Sequence, residues 1–311
     1  MNWLIFLFLS SALIFVMIRF ILREQKLRKA IKLANSQNFQ AAYDILHGLS
    51  KDRYDFLIDY SDDHRFMSCH AFCLLNLARY QEAIEIYDRL IKRIPNTKRF
   101  RDWLAQIYHF KSSALLNLER SEEAITCFDR ALEYQPENPG TLFNKASALC
   151  DLARFEEAVH CCDRGLHYEP DDYDAWLLKA YSLYRLQDYQ GSISNCEHVI
   201  HHQPTYCYAH ELKSQILYKL GGYQSAIISC DEALQYQPDN VEVIYNKACC
   251  NALLGNIDSA IDNLYQVMNL DPHTYQDSIQ NDEDFASLKQ DKRFQELIES
   301  KADIGKTSRK K

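Results

Sequence analysis

Apolar residues return along this chain in the same order every 34 residues. A small residue followed by Ile or Val marks one phase of the pattern, at Ala124, Ala158, Ser192, Ala226 and Ala260. Proline keeps the same step, at Pro136, Pro170, Pro204, Pro238 and Pro272. A period of this length is typical of stacked helical pairs. Such proteins bind along an extended surface, so we expect function on a groove surface and not in a catalytic pocket.

The eighth position of each repeat, counted from Ala105, is always small. It is occupied by Ser112, Ala146, Ala180, Ser214 and Ala248. Small side chains at a fixed phase allow two helices to approach closely. The proline near the end of each repeat cannot continue a helix. Each repeat is therefore predicted to form a helix, a short turn and a second helix.

This order of bulky, small, aromatic and proline residues resembles the tetratricopeptide repeat family. The bulky fourth position holds Tyr108, Leu142, Trp176 and Ile244, with His210 as the exception. The resemblance implies an all-α fold in which about seven helix pairs stack into a right-handed superhelical solenoid. One transmembrane helix is expected before the repeats and one capping helix after them.

The regularity of the pattern divides the chain into five segments. These are a transmembrane anchor at 1–22, two irregular repeats at 23–104, five regular repeats at 105–274, a helical cap at 275–300 and a basic disordered tail at 301–311. The irregular repeats each carry about seven extra residues, near Lys51–Ile58 and Asn96–Leu104. The cap is predicted from helical spacing of Phe285, Leu288, Phe294, Leu297 and Ile298.

The first residues suggest a membrane anchor. Every residue from Trp3 to Ile18 is apolar except Ser10 and Ser11, and twenty helical residues span about 30 Å. Basic residues follow the run, at Arg19, Arg23, Lys26, Arg28, Lys29 and Lys32. A secretory signal peptide would carry its basic residues before the run. We therefore expect a single-pass protein that contacts lipid through residues 3–22 and keeps its repeats on the cytoplasmic side.

The charge of the remaining chain disfavours nucleic acid. The protein has a net charge of -8, although its first 35 residues and its last six residues are both basic. The repeats between them are consequently acidic, and acidic surfaces are repelled by phosphate backbones. We expect no nucleic-acid partner.

Cysteines are numerous but follow the repeat. Cys162, Cys196 and Cys230 recur at the 34-residue step in a core position, where buried free cysteine acts as a small hydrophobic residue. The sharpest alternative is a metal site formed by His64, Cys69, His70 and Cys73. Ordinary helix packing is the simpler interpretation of these four. No nucleophile and base can be paired, so we expect no metal, no cofactor and no enzymatic activity.

The resemblance implies that the inner wall of the solenoid, formed by the first helix of each repeat, binds partners. The candidate partner-binding residues are Phe143, Asp174, Tyr181, Tyr184, Arg185, Tyr208, Glu211, Gln215, Tyr218, Lys219 and Tyr245. Large aromatic side chains are typical of interaction surfaces. Some of these rings could instead fill the space between neighbouring first helices.

Four lysines also recur at the seventh position of the repeats. They are Lys145, Lys179, Lys213 and Lys247. Their stems are expected to pack against the next helix with the ammonium groups in water, so they do not match the clamp with which some family members bind chaperone termini.

These observations favour a membrane-anchored scaffold or assembly factor that binds a membrane-associated polypeptide in its groove. The alternative is a structural subunit of a stable membrane complex, which would use the convex face or the two extra segments.

Overall fold

The computed structural model describes residues 2–51 and 64–299. The chain divides into two compact units, Met1–Arg154 and Phe155–Lys311. The helices described in the first unit are α1 (Asn2–Asn35), α2 (Phe39–Lys51), α3 (His64–Asn76), α4 (Tyr80–Arg93), α5 (Arg101–Leu116), α6 (Ser121–Tyr134) and α7 (Pro139–Asp151). Those in the second unit are α8 (Phe155–Tyr168), α9 (Tyr173–Arg185), α10 (Tyr189–His202), α11 (Cys207–Lys219), α12 (Tyr223–Tyr236), α13 (Val241–Leu253), α14 (Ile257–Leu270), α15 (Pro272–Asn281) and α16 (Lys292–Glu299).

Consecutive helices pair, and the first helix of each pair contacts the first helix of the next. In the first unit α1, α3, α5 and α7 contact one another in turn, and in the second unit α9, α11 and α13 do the same. We call each of these rows the first-helix layer of its unit. The predicted all-helical repeat architecture is thus confirmed for the described residues.

The turn inside each repeat has a left-handed backbone at one fixed position. Five residues other than glycine adopt a positive φ there, namely Gln37, Ala78, Glu119, Ala153 and Gln187. Gly221 and Gly255 follow at the same 34-residue step with φ of 75° and 76°. The next amide donates to a carbonyl five residues earlier, as Gly222 N does to Leu217 O at 2.9 Å. This is the Schellman geometry that ends helices, and it sets where each first helix stops.

The small positions of the repeat form the contact between paired helices. Ala146, Ala180 and Ala248 are fully buried, as is Ala226 of the second small phase. Ser192 replaces alanine in that second phase, and its Oγ donates to Ala180 O at 2.6 Å. Ser192, the one polar residue among the five positions of the second small phase, is therefore hydrogen-bonded to a backbone carbonyl of the partner helix.

The recurring lysines tie each repeat to the one before it. Each ammonium lies 2.5–2.9 Å from a carboxylate on the preceding second helix. The pairs are Lys111–Asp88, Lys145–Asp129, Lys179–Asp163, Lys213–Glu197 and Lys247–Asp231. From the sequence these ammonium groups are expected in water and the ion pairs are not predicted, although the acidic partner recurs with the same period. Ion pairs of this exposure contribute about 0.2–1 kcal/mol each.

The C-terminal cap consists of three short elements instead of one helix. A 3-10 helix, Glu283–Leu288, separates α15 from α16. Asp282 Oδ1 accepts from Asp284 N and Asp291 Oδ1 from Arg293 N, and such side-chain caps begin new helical turns. Phe285 and Leu288 pack in one buried cluster with Ile244 and other residues of α13 and α14. The cap thus covers the apolar end of the last full repeat.

The predicted membrane anchor is wrong. Helix α1 runs without a break through the predicted end of the anchor at residue 22, and Leu27, Ala30 and Ala34 of its second half are buried in the repeat core. In the part of the chain that the structure describes, no helix has the length and apolar character needed to cross a bilayer. The helix that contains the apolar run continues through the basic residues after Arg19 and enters the first repeat. Neither lipid contact through residues 3–22 nor the single-pass, cytoplasm-facing placement is supported.

Two predicted segments fall wholly or mostly outside the described residues. The basic tail at 301–311 and most of the extra segment Lys51–Ile58 lie outside the described residues. The segment Asn96–Leu104 contains a 3-10 helix, Lys98–Phe100, and the start of α5. The division of the chain into five segments by repeat regularity stays a prediction. The boundary between the two compact units falls after Arg154, inside the predicted segment 105–274.

Candidate partner-binding face

Ten of the eleven predicted binding residues lie on the first-helix layer of the second unit. We call these ten residues the unit-2 face. They are Asp174, Tyr181, Tyr184 and Arg185 on α9, Tyr208, Glu211, Gln215, Tyr218 and Lys219 on α11, and Tyr245 on α13. The eleventh, Phe143, is half-buried on α7 of the first unit.

Arg185 is held in place by two aromatic rings. Its Nη1 donates to Tyr181 Oη at 2.6 Å, and its guanidinium carbon lies 4.6 Å from the centre of the Phe155 ring. A cation over an aromatic face gains about 0.5–1 kcal/mol at an exposed site. Arg185 is exposed, so this end of the face presents a positive charge in a fixed orientation.

The middle of the face carries the most accessible ring. Tyr208 is 43% exposed, whereas Tyr181 and Tyr184 are half-buried. Tyr184 packs 6.1 Å from Tyr189 of the next helix. Asp174 accepts a hydrogen bond from the hydroxyl of Tyr206, so its carboxylate is already engaged within the chain.

Glu211 is a buried carboxyl in the centre of α11. Gln215 Nε2 and Asn240 Nδ2 each donate to it at 3.3 Å. Burial raises the pKa of Glu211, and the neighbouring Glu242 raises it further. Glu211 therefore orders the polar side chains around it and is not open to a partner.

The C-terminal cap occupies the far end of the face. Tyr245 Oη donates to Asp282 Oδ2 at 2.6 Å, and Tyr218 Oη donates to Asp284. Burial and these carboxylates raise the pKa of both tyrosines. The segment that begins the 3-10 helix thus lies across α13 and reaches α11, so Tyr218 and Tyr245 bind the chain's own cap.

The cap also forms the one group of possible metal ligands found among the described residues. Cys249, Asp282 and Asp284 bring their ligand atoms within 4.8 Å of one another. Both carboxylates already accept tyrosine hydroxyls, and burial raises the pKa of the Cys249 thiol. These contacts account for the cluster without an ion. The sequence candidate of His64, Cys69, His70 and Cys73 does not form such a group.

Sequence reasoning missed Tyr206, Asp282 and Asp284. Asp282 and Asp284 flank Glu283 immediately before Phe285, a pattern that also fits a solvated helix start. Their partners lie 37 and 66 residues away along the chain, and no periodicity links them. Tyr206 precedes α11 by one residue, where the repeat pattern specifies only turn chemistry.

Three family models match parts of the chain. A model described as anaphase-promoting complex, cyclosome, subunit 3 matches residues 117–199. Two tetratricopeptide repeat models match residues 70–97 and 241–274. No curated protein matches the sequence significantly.

Solved structures share the fold. The C-terminal part of a repeat-containing protein from Cytophaga hutchinsonii is 14% identical with a TM-score of 0.64, covering 85% of this chain and 99% of that one. A tetratricopeptide repeat protein from Parabacteroides merdae is 13% identical with a TM-score of 0.59, covering 89% and 97%. MamA from Desulfovibrio magneticus, from residue 41 to its end, is 20% identical with a TM-score of 0.52, covering 55% and 97%.

The two repeat models match separate stretches of the repeat region, and the solved structures share its stacked helix pairs. The chain thus carries sequence matches to tetratricopeptide repeats at residues 70–97 and 241–274 and has the stacked helix-pair fold of the solved tetratricopeptide repeat structures.

Proposed function

We propose that the chain is a protein-interaction scaffold that binds an extended segment of a partner polypeptide on the part of the unit-2 face formed by α9 and α11. The observation that carries this proposal is Tyr208, a large ring 43% exposed in the middle of a helix layer. Exposed tyrosine buries much apolar area on binding while its hydroxyl still pairs. Tetratricopeptide repeat proteins are generally scaffolds without enzymatic activity, which favours binding over catalysis.

The open part of the face has a defined extent. Arg185 and Tyr181 mark one end, where the guanidinium lies over Phe155. Tyr218 marks the other end, because its hydroxyl binds the cap. We assign Tyr184 of α9 and Tyr208 and Gln215 of α11 to the contact with the partner. Tyr218 and Tyr245 are assigned to the cap.

A peptide selection tests this assignment. Random peptides are displayed, selected on the full chain and measured against variants by fluorescence anisotropy. Tyr208→Ala is expected to weaken the selected peptides at least about tenfold, since buried interface aromatics contribute about 2 kcal/mol or more. Tyr184→Ala is expected to act in the same direction.

Tyr236→Ala provides a matched control. Tyr236 is 44% exposed and lies on α12, the second helix of the same repeat. Tyr236→Ala removes an exposed tyrosine ring of similar accessibility from a helix outside the first-helix layer. Equal weakening by Tyr208→Ala and Tyr236→Ala would count against the proposed location.

The alternative function, a structural subunit of a stable complex, uses different residues. A photo-crosslinker at Tyr184 reports on the first-helix layer, and one at Asn96 reports on the exposed extra segment. Crosslinking of a natural partner only from Asn96 would favour the subunit.

A further inference from the structure

The first unit contains a cavity of about 400 Å³ on its own first-helix layer. Its walls come from α1, α3, α4 and α5, and include the rings of Phe72, Trp103 and Phe110. The Phe72 and Phe110 rings lie 5.1 Å apart between centroids. Small-ligand sites have volumes of about 300–1,000 Å³ and mostly apolar walls with a few polar groups. The cavity therefore has the dimensions of a binding site.

Two hydroxyl groups of this wall have no hydrogen-bond partner among the described residues. They belong to Tyr87 and Ser68, and both oxygen atoms are buried. The Tyr87 side chain is 1% exposed, and burial raises its pKa, so the hydroxyl keeps its proton. An unpaired buried hydroxyl is unfavourable, because it has lost its hydrogen bonds to water without replacing them. Ser68 is half-buried and lines the cavity together with Tyr87.

The charge of the lining selects a neutral occupant. Among the described residues that line the cavity there is no aspartate or glutamate, so an ammonium group would find no counter-ion among them. Arg65, the one cation in the described part of the lining, pairs with Glu24 at 3.2 Å, and an anionic ligand would compete with that carboxylate. A purely aliphatic group would leave both hydroxyls unpaired.

We infer that this cavity binds the tyrosine side chain of a partner peptide. The phenol ring matches the aromatic walls, where offset and edge-to-face contacts are favourable. Its hydroxyl can donate to one of Tyr87 and Ser68 and accept from the other. This site is independent of the unit-2 face, because its residues all belong to the first unit.

Small probes test the inference on the full chain. N-acetyl-tyrosinamide, N-acetyl-phenylalaninamide and p-cresol are titrated by saturation-transfer NMR. The tyrosine amide is expected to bind about tenfold tighter than the phenylalanine amide, which corresponds to about 1.4 kcal/mol. Tyr87→Phe and, separately, Ser68→Ala are expected to reduce this ratio towards one. Neither change removes a hydrogen bond within the described protein, so both variants should fold.

Tyr108→Phe is the matched control, since Tyr108 lies on α5 but outside the cavity lining. It should keep the tenfold ratio. Equal affinity for the two amides, or a ratio unchanged in both Tyr87→Phe and Ser68→Ala, overturns the inference. Binding of p-cresol without either amide overturns it in favour of a free phenol.

Discussion

At the scale of single residues, the left-handed turn position has opposite consequences for glycine and for other residues. Gln187 adopts φ 64° and Gly221 adopts φ 75° at equivalent places. A side chain in this conformation costs roughly 1–2 kcal/mol, partly offset by the greater freedom of unfolded glycine. The repeats therefore differ in local strain at a turn position that follows Arg185 and Lys219 of the unit-2 face by two residues.

This strain gives a stability prediction. We expect Gln187→Gly to stabilise the second unit by about 0.5–1 kcal/mol and Gly221→Ala to destabilise it by a similar amount. A Cβ at Gly221 meets no atom within 4 Å, so only the backbone strain remains. Gly48→Ala is the control, because Gly48 lies inside α2 with equal space and should become more stable. Urea unfolding measures the free energy of unfolding of all three variants. If Gly221→Ala and Gly48→Ala change this free energy in the same direction, backbone strain does not explain the difference.

Glu211 gives a prediction about pH. Its folded pKa is raised above the ordinary 4.5 by burial and Glu242, so the folded state binds the proton more tightly than the unfolded state. The stability it contributes is present at low pH and is lost as the pH rises through the folded pKa. Glu211→Gln should therefore raise the melting temperature at pH 7, with the gain shrinking to zero below about pH 4.5. A gain that persists at low pH would indicate a packing effect instead.

At the scale of elements, the cap is joined to the first-helix layer by tyrosine–carboxylate hydrogen bonds. We expect Tyr245→Phe to cost about 1.5–3 kcal/mol locally, because it removes a donor to the Asp282 carboxylate. Amide hydrogen exchange should accelerate in residues 282–288 with little change in α9. Tyr236→Phe on α12 is the control. If both variants exchange alike, the cap does not depend on this hydrogen bond.

At the scale of the whole molecule, the stability of a repeat protein depends on each repeat and on its interfaces with the neighbouring repeats. Phe285 is fully buried against α13 and α14, and Phe285→Ala should cost about 3–5 kcal/mol. Within the second unit, we expect the largest loss of hydrogen-exchange protection in α13 and α14, and a smaller loss in α9. A uniform loss from α8 to α16 would show instead that the unit unfolds as one body.

The 34-residue period was sufficient to predict the helical repeats. The small positions at Ala146 and Ala180 and the repeat boundaries follow from local spacing. The pairing of Lys179 with Asp163 could have been found too, since both partners recur with the period. The contact of Tyr218 with Asp284 could not, because it joins residues 66 positions apart in a segment where the period has decayed. The sequence placed the end of a separate anchor at residue 22. The apolar and basic pattern there does not show that the same helix continues into the repeat core.

The covered end of the second unit also bears on self-assembly. Head-to-tail addition of identical copies generates an open filament when each copy leaves an apolar end for the next. Here Phe285, Leu288, Phe294 and Leu297 are buried over α13 and α14, and a second copy would have to displace them to add at this end. The C-terminal cap therefore opposes the addition of further copies at this end of the second unit.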